Sequence, residues 1–265
     1  MKYDPVKNVF ARAINWSGEL RVAFYKLQNL FFLRERYVKR LIRKYYPEDS
    51  EFRFYDAGAG FCQYSWFVLS NWTKSRVFAT DLKKDYLESF AKYARPRWHK
   101  RFNFQSADLQ IFRPKLHYDL AVAVDILEHI PDDLSAMQNI YDCLKDKGLL
   151  IISTPSDSDE AAKFTAEHVR PGYNKQELEQ KLKNVGFTIK ESLYSYGFFG
   201  ALSWRIMIKK PLQMLQKSRL NFIVLPFYYL VFLPLGLLLM EVDLRLPNPS
   251  GTGILVVAEK PVESD

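Results

Sequence analysis

From Phe52 onward, short runs of β-branched and aromatic residues alternate with segments whose apolar positions recur at helical spacing. That alternation predicts strand–helix–strand units and a parallel sheet. Strands are expected at 52–57, 76–81, 102–108, 118–124 and 148–154, with helices near 63–72, 83–94 and 133–145 between them. A further helix over 174–185 stops at Gly186, which suits a left-handed cap, and 187–196 then reads as a sixth strand. The run 253–260, behind the turn-rich PNPSGTG, supplies the seventh. The expected fold class is therefore α/β, a seven-stranded Rossmann-like sheet with a hydrophobic helical insert between strands six and seven.

Ahead of the sheet, Leu20, Phe24, Leu27, Phe31, Val38, Leu41 and Tyr45 fall on one helix face, and most Lys and Arg side chains fall elsewhere. Three units follow from this patterning. Residues 1–50 form a basic amphipathic helical arm, 51–196 with 251–265 form the α/β domain, and 197–250 form the insert. Charge sharpens the division. The 265-residue chain carries a net +8, yet residues 1–46 hold eleven basic and three acidic side chains, and the remainder balances at 27 of each sign.

The insert is the anomaly. No acidic residue occurs from Ser192 to Met240, five basic residues (Arg205, Lys209, Lys210, Lys217, Arg219) come first, and Leu220–Met240 is then uncharged. Length and flank fit a membrane-spanning helix. A single crossing, however, would strand the seventh β-segment on the far side. Pro226, Pro234 and Gly236 are expected to break the run into short helical pieces. The insert then either covers a substrate cleft and dips into an anionic membrane surface, together with the arm (205–240 and 1–46), or packs as a buried layer on its own domain or in a homodimer.

Two cysteines, Cys62 and Cys143, offer no CxxC pair and fit a reducing compartment. The first ten residues read as no signal peptide. The expected location is cytoplasmic, with peripheral contact to the inner face of a membrane.

The chemistry concentrates at Asp56-Ala57-Gly58-Ala59-Gly60-Phe61-Cys62, between a strand and a helix. Gly58 and Gly60 allow a tight turn and bring backbone amides close to a ligand. Asp81, at the end of the second strand, suits ribose hydroxyls, and Asp108, at the end of the third, suits the exocyclic amine of adenine. Carboxylates before the glycines and at Asp125 favour a cationic ligand over a pyrophosphate.

These residues, with the motifs FYDAGAG, VFATDL, SADL, YDLAVAVDILEHI, GLLIISTP and HVRPGY…GF, resemble class I S-adenosylmethionine-dependent methyltransferases, in particular the quinone-biosynthesis and small-molecule type. The resemblance implies an enzyme with S-adenosylmethionine as cofactor. Asp56, Gly58 and Gly60 would line its methionine and ribose side, Asp81 with Leu82 the ribose, Asp108 with Leu109 the adenine, and Asp125 the sulfonium. Cys62 stands where the family usually has a third glycine.

His129 is the candidate base, with packing beneath the cofactor as its alternative role. His168, Arg170 and Tyr173 are candidates for the acceptor side, Tyr173 and His168 also for catalysis, with loop packing as the alternative. Asp125, Glu128 and His129 resemble a set that some quinone methyltransferases use with a divalent ion, but the same triplet occurs without metal and no metal is assigned. The expected acceptor is an apolar or amphipathic small molecule, methylated on a hydroxyl or activated carbon. The arm's interleaved basic and aromatic residues leave RNA methylation as an alternative. It is not favoured, because the arm's aromatics sit partly on its apolar stripe and DILEHIPD replaces the Asn/Asp-Pro-Pro-Tyr/Phe signature. A non-catalytic cofactor-binding membrane protein is the remaining reading.

Overall fold

The computed structural model describes Ile14 and residues 17–158 and 169–262. Within them the chain runs α1 (Gly18–Phe31), α2 (Leu33–Tyr45), β1 (Arg53–Ala57), α3 (Gln63–Asn71), β2 (Arg76–Asp81), α4 (Lys84–Ala94), β3 (Phe102–Ser106), β4 (Tyr118–Val124), a 3-10 turn (Leu127–His129), α5 (Asp133–Cys143) and β5 (Leu144–Pro155). It continues through α6 (Lys175–Val185), β6 (Thr188–Ser195), α7 (Phe198–Trp204), a π segment (Arg205–Lys209), α8 (Lys210–Lys217), a second 3-10 turn (Arg219–Ile223), α9 (Leu225–Arg245) and β7 (Gly253–Glu259).

The seven strands form one sheet in the order β3-β2-β1-β4-β5-β7-β6. β1 pairs in parallel with β2 and β4, β2 with β3, and β4 with β5, whereas β7 is antiparallel to both β5 and β6. All seven expected strands are present. β5 starts earlier than its apolar run, because a bulge between Tyr118 and Leu120 brings Leu144 into register opposite Tyr118.

Helices cover both faces, as a parallel sheet requires. Met137, Ile140, Leu178 and Leu182 of α5 and α6 pack on one side. On the other, the arm and the insert share a core in which Leu33, Val38 and Leu41 join Phe67, Phe90, Met207 and Met240. The arm is thus part of the domain's packing. Several of its basic side chains are consequently inward: Arg21 is 3% exposed and donates to Tyr25 and Ser89, and Lys39 is 5% exposed beside Glu35. This revises the expectation of an arm whose charge as a whole faces a membrane or nucleic acid.

The insert departs from expectation in one respect. Leu225–Arg245 is a single 21-residue helix, and the prolines do not break it. Pro226 occupies the first turn, where no backbone donor is needed. Pro234 lies inside the helix and gives up one internal bond, while Gly236 is required by a close crossing: a Cβ there would stand 2.4 Å from Met207 Cγ and Sδ.

Topology fixes where this insert sits. Ser195, the last residue of β6, pairs with Gly253, the first of β7, which in turn pairs with Pro155 at the end of β5. Both ends of the insert therefore leave the sheet at its carboxyl edge, where open α/β sheets bind ligands.

A buried knot ties insert to arm. Asp243 is fully buried; its Oδ1 accepts from Gly200 N at 2.9 Å, and the Tyr37 hydroxyl lies 2.9 Å from Oδ2 and 2.7 Å from the Asp243 carbonyl. Removing that hydroxyl leaves a buried carboxylate short of a donor. Tyr37→Phe is expected to lower the unfolding free energy by about 1–2 kcal/mol in urea denaturation.

Candidate active site

The β1–α3 turn is built by backbone conformation. Gly58 N and Ala59 N both donate to Thr80 O at 2.9 Å, and Gly58 (φ +76°) and Gly60 (φ +50°) are both left-handed. A Cβ on Gly58 would meet Ile126 Cγ1 at 2.5 Å, whereas one on Gly60 would meet nothing within 4 Å. The first glycine is therefore demanded by packing, and the second faces open space suited to a ligand. Cys62, at the family's third glycine position, is also left-handed (φ +61°) and fully buried. It keeps the turn at a backbone cost of roughly 1–2 kcal/mol.

Asp81, at the end of β2, is fixed by two backbone amides. Its Oδ2 accepts from Gly60 N and its Oδ1 from Lys83 N, each at 2.8 Å. These two bonds fix its plane and leave acceptor capacity on both oxygens. Leu82 beside it is exposed. At the end of β3, Asp108 Oδ1 accepts from Gln110 N at 2.9 Å, and the Gln110 amide lies 3.1 Å from both oxygens. Leu109 is buried, its carbonyl clamped by Asn139 at 3.0 Å.

Asp56 corrects the sequence reading. Its Oδ2 accepts from Ser65 N at 3.0 Å and Ser65 Oγ at 2.6 Å, inside the first turn of α3. The side chain serves the glycine turn and its helix rather than presenting that oxygen to a ligand. Burial raises its pKa to about 7, with Asp81 and Glu35 nearby adding to the rise.

At the end of β4 the structure adds a residue that sequence reasoning missed. Arg34, from the start of α2, forms an ion pair with Asp125, and its main-chain N donates to the Tyr196 hydroxyl at 3.3 Å. Asp125 itself is left-handed (φ +47°). Glu35 accepts from the Tyr64 hydroxyl at 2.9 Å. Glu128 is fully buried; Thr154 Oγ1 lies 3.1 Å from its Oε2, and its Oε1 has no hydrogen-bond partner among the described residues. Burial pushes the Glu128 pKa up. His129 follows it on the 3-10 turn, half-buried, with its main-chain N donating to Ile126 O at 3.0 Å.

Arg170 and Tyr173 are brought to this edge but face inward. Tyr173 is 1% exposed; its hydroxyl donates to Asp133 Oδ2 at 2.6 Å and accepts from Arg170 Nη1 at 2.8 Å. Arg170 also donates to the carbonyls of Leu127, Ile130 and Pro131. The pair braces the turn that carries Glu128 and His129, which corrects their expected place against an acceptor. Burial and the Asp133 carboxylate push the Tyr173 hydroxyl far above its ordinary range, so it is no base. His168 lies outside the described residues. Among the described residues no group of three His, Cys, Asp or Glu side chains gathers as a metal site, and Asp125 is turned to Arg34.

A glycine cradle, a braced carboxylate after β2 and an acidic β4 end, along one carboxyl edge of a 3-2-1-4-5-7-6 sheet, define a Rossmann-like nucleoside-binding enzyme domain. The model of the family described as methyltransferase domain matches residues 51–192, and the chain belongs to that family, the class I methyltransferases it resembles in sequence. A ubiquinone biosynthesis O-methyltransferase of Rickettsia bellii is 23% identical over 124 residues, 46% of this chain and 50% of the relative. The chain thus spans about half the length of the curated relatives it matches. Among solved structures, Haemonchus contortus phosphoethanolamine N-methyltransferase 2 in complex with S-adenosylmethionine is similar with a TM-score of 0.58, 16% identity, and coverage of 84% of this chain and 51% of that one. The [4+2]-cyclase SpnF has a TM-score of 0.58, 17% identity, and coverage of 86% and 81%. The fold is shared, and the chemistry has to be read from the site.

S-adenosylmethionine fits these residues: Gly60 leaves space, Asp81 keeps acceptor capacity, and the acidic edge suits a sulfonium. Asp81→Ala is expected to weaken its binding by about tenfold or more in isothermal titration, from the loss of charge-assisted bonds. Asp56 sets a pH dependence. Its pKa of about 7 lies above the ordinary unfolded value of ~3.9, so stability is fully present below that value and is lost as pH rises through 7. Asp56→Asn keeps an acceptor for Ser65 and is expected to flatten the decline of Tm between about pH 4 and 7, measured by scanning calorimetry.

Proposed function

We propose that this chain transfers the methyl group of S-adenosylmethionine to a hydroxyl of an apolar or amphipathic small molecule. The observation that carries the reading is the placement of Gly60, Asp81 and the Arg34–Asp125 pair along one sheet edge. The zwitterionic methionine end of the cofactor matches that pair in charge. The buried Arg34 Nε, which has no hydrogen-bond partner among the described residues, is one more donor for a carboxylate. When bound, the cofactor supplies an electrophilic methyl group, and the rest is alignment and proton removal.

A hydroxyl acceptor needs a base at the β4 end. His129 brings an imidazole to that end, and Glu128 beside it is a buried carboxyl with one oxygen unpartnered among the described residues. Arg170 and Tyr173 hold the turn that positions both. The apolar character of the acceptor is supported by the insert, whose two ends rise from the same edge and whose Tyr229 packs on Phe31 with ring centroids 5.5 Å apart. The O-methyltransferase relative agrees with this acceptor class. RNA methylation is the weaker reading, since Arg21, Arg34 and Lys39 are engaged internally.

The test is production of S-adenosylhomocysteine from a panel of prenylated phenols and catechols, read by mass spectrometry. Methylation at oxygen is expected; turnover of RNA with none of the phenols overturns the assignment. His129→Ala is expected to lower kcat by about 10²–10⁴-fold, with cofactor affinity in titration unchanged.

A further inference from the structure

The insert leaves an apolar stripe facing water. Phe222, Ile223, Phe227, Leu230, Val231 and Leu238 are all exposed, Phe227 at 69% and Leu230 at 76%. Positions 223, 227, 230, 231 and 238 share one side of the second 3-10 turn and α9, so the stripe is continuous. Its rim is positive: Arg205, Lys209, Lys210 and Lys217 are exposed, and no acidic residue lies between Ser192 and Met240. Lys209 Nζ lies 6.0 Å from the centre of the Trp204 ring, a cation and an indole side by side.

We propose that this stripe is a docking surface for an anionic phospholipid bilayer, with α9 lying in the headgroup boundary and not crossing it. Apolar side chains enter the acyl boundary and the flanking Lys and Arg meet lipid phosphates, which is the physics of interfacial helices. A crossing is excluded by the other face of α9. Gly236 is closed against Met207, Asp243 is bonded to Gly200 and Tyr37, and β7 returns between β5 and β6. A second copy of the chain fits the stripe less well, because it brings the same positive rim.

The stripe also has an address relative to the site. Tyr229 of α9 packs on Phe31, and three residues on Arg34 reaches Asp125. An acceptor dissolved in lipid therefore has a short path to the sheet edge. The docking itself does not depend on the methyl-transfer reading.

The experiment is flotation of the full chain, without cofactor, on phosphatidylcholine vesicles and on equimolar phosphatidylcholine–phosphatidylglycerol vesicles. The wild type is expected to float with the anionic vesicles and to be released by salt. Phe227→Asp with Leu230→Asp, and separately Lys209→Glu with Lys210→Glu, are each expected to weaken that binding by about tenfold or more. The second pair, exposed and polar, keeps the test valid if the first does not fold, which circular dichroism reports. Binding of the folded variants equal to wild type, or no wild-type flotation, overturns the proposal. So does a dimer in light scattering that the Phe227→Asp, Leu230→Asp variant dissociates, since the stripe is then a subunit interface.

Discussion

Too many carboxylates share one sheet edge for the folded chain to hold them without a cation. Asp56, Asp81, Asp125 and Glu128 lie at or just beyond the ends of β1, β2 and β4, with Glu35 close behind. In a partly buried setting their mutual repulsion is not damped as it is in water. The structure handles the excess in three ways. Arg34 reaches in from the arm to pair with Asp125, Ser65 and the α3 amide bind Asp56, and burial drives Asp56 and Glu128 toward their neutral forms.

Because Arg34 belongs to the arm, the arm cannot be an appendage. It closes one wall of the site, shares a core with the insert, and is locked to that insert through Tyr37 and Asp243. Site, arm and insert are mechanically one body.

The sheet was legible from the chain because each strand is a short apolar run bounded by turn residues, and buried parallel strands need little else. The left-handed glycine turn and the place of Asp81 at the end of β2 were equally legible, since they depend on backbone freedom and on strand length. Arg34 was not. Its charge is visible in the sequence, but one arginine among eleven basic arm residues carries no sign that it points inward. Asp56 misled for the opposite reason. Its position before the glycines is correct, yet a carboxylate one turn from a helix start serves the helix, and only the contact with Ser65 shows it. The continuity of α9 through Pro234 was also beyond reach, because proline removes one internal bond without forbidding the helix, and the packing of Gly236 on Met207 is a contact between distant residues.

The position of β7 has a consequence for how the chain is made. β6 pairs with β7, and β7 in turn fills the place between β6 and β5. On a ribosome, β5 and β6 emerge before the insert, and the insert emerges before the strand that joins them. For that interval the sheet has an open gap, and α9, uncharged from Leu225 to Met240, is without its final support. Until β7 is made, the apolar run is the part of the chain with the most surface still to be covered.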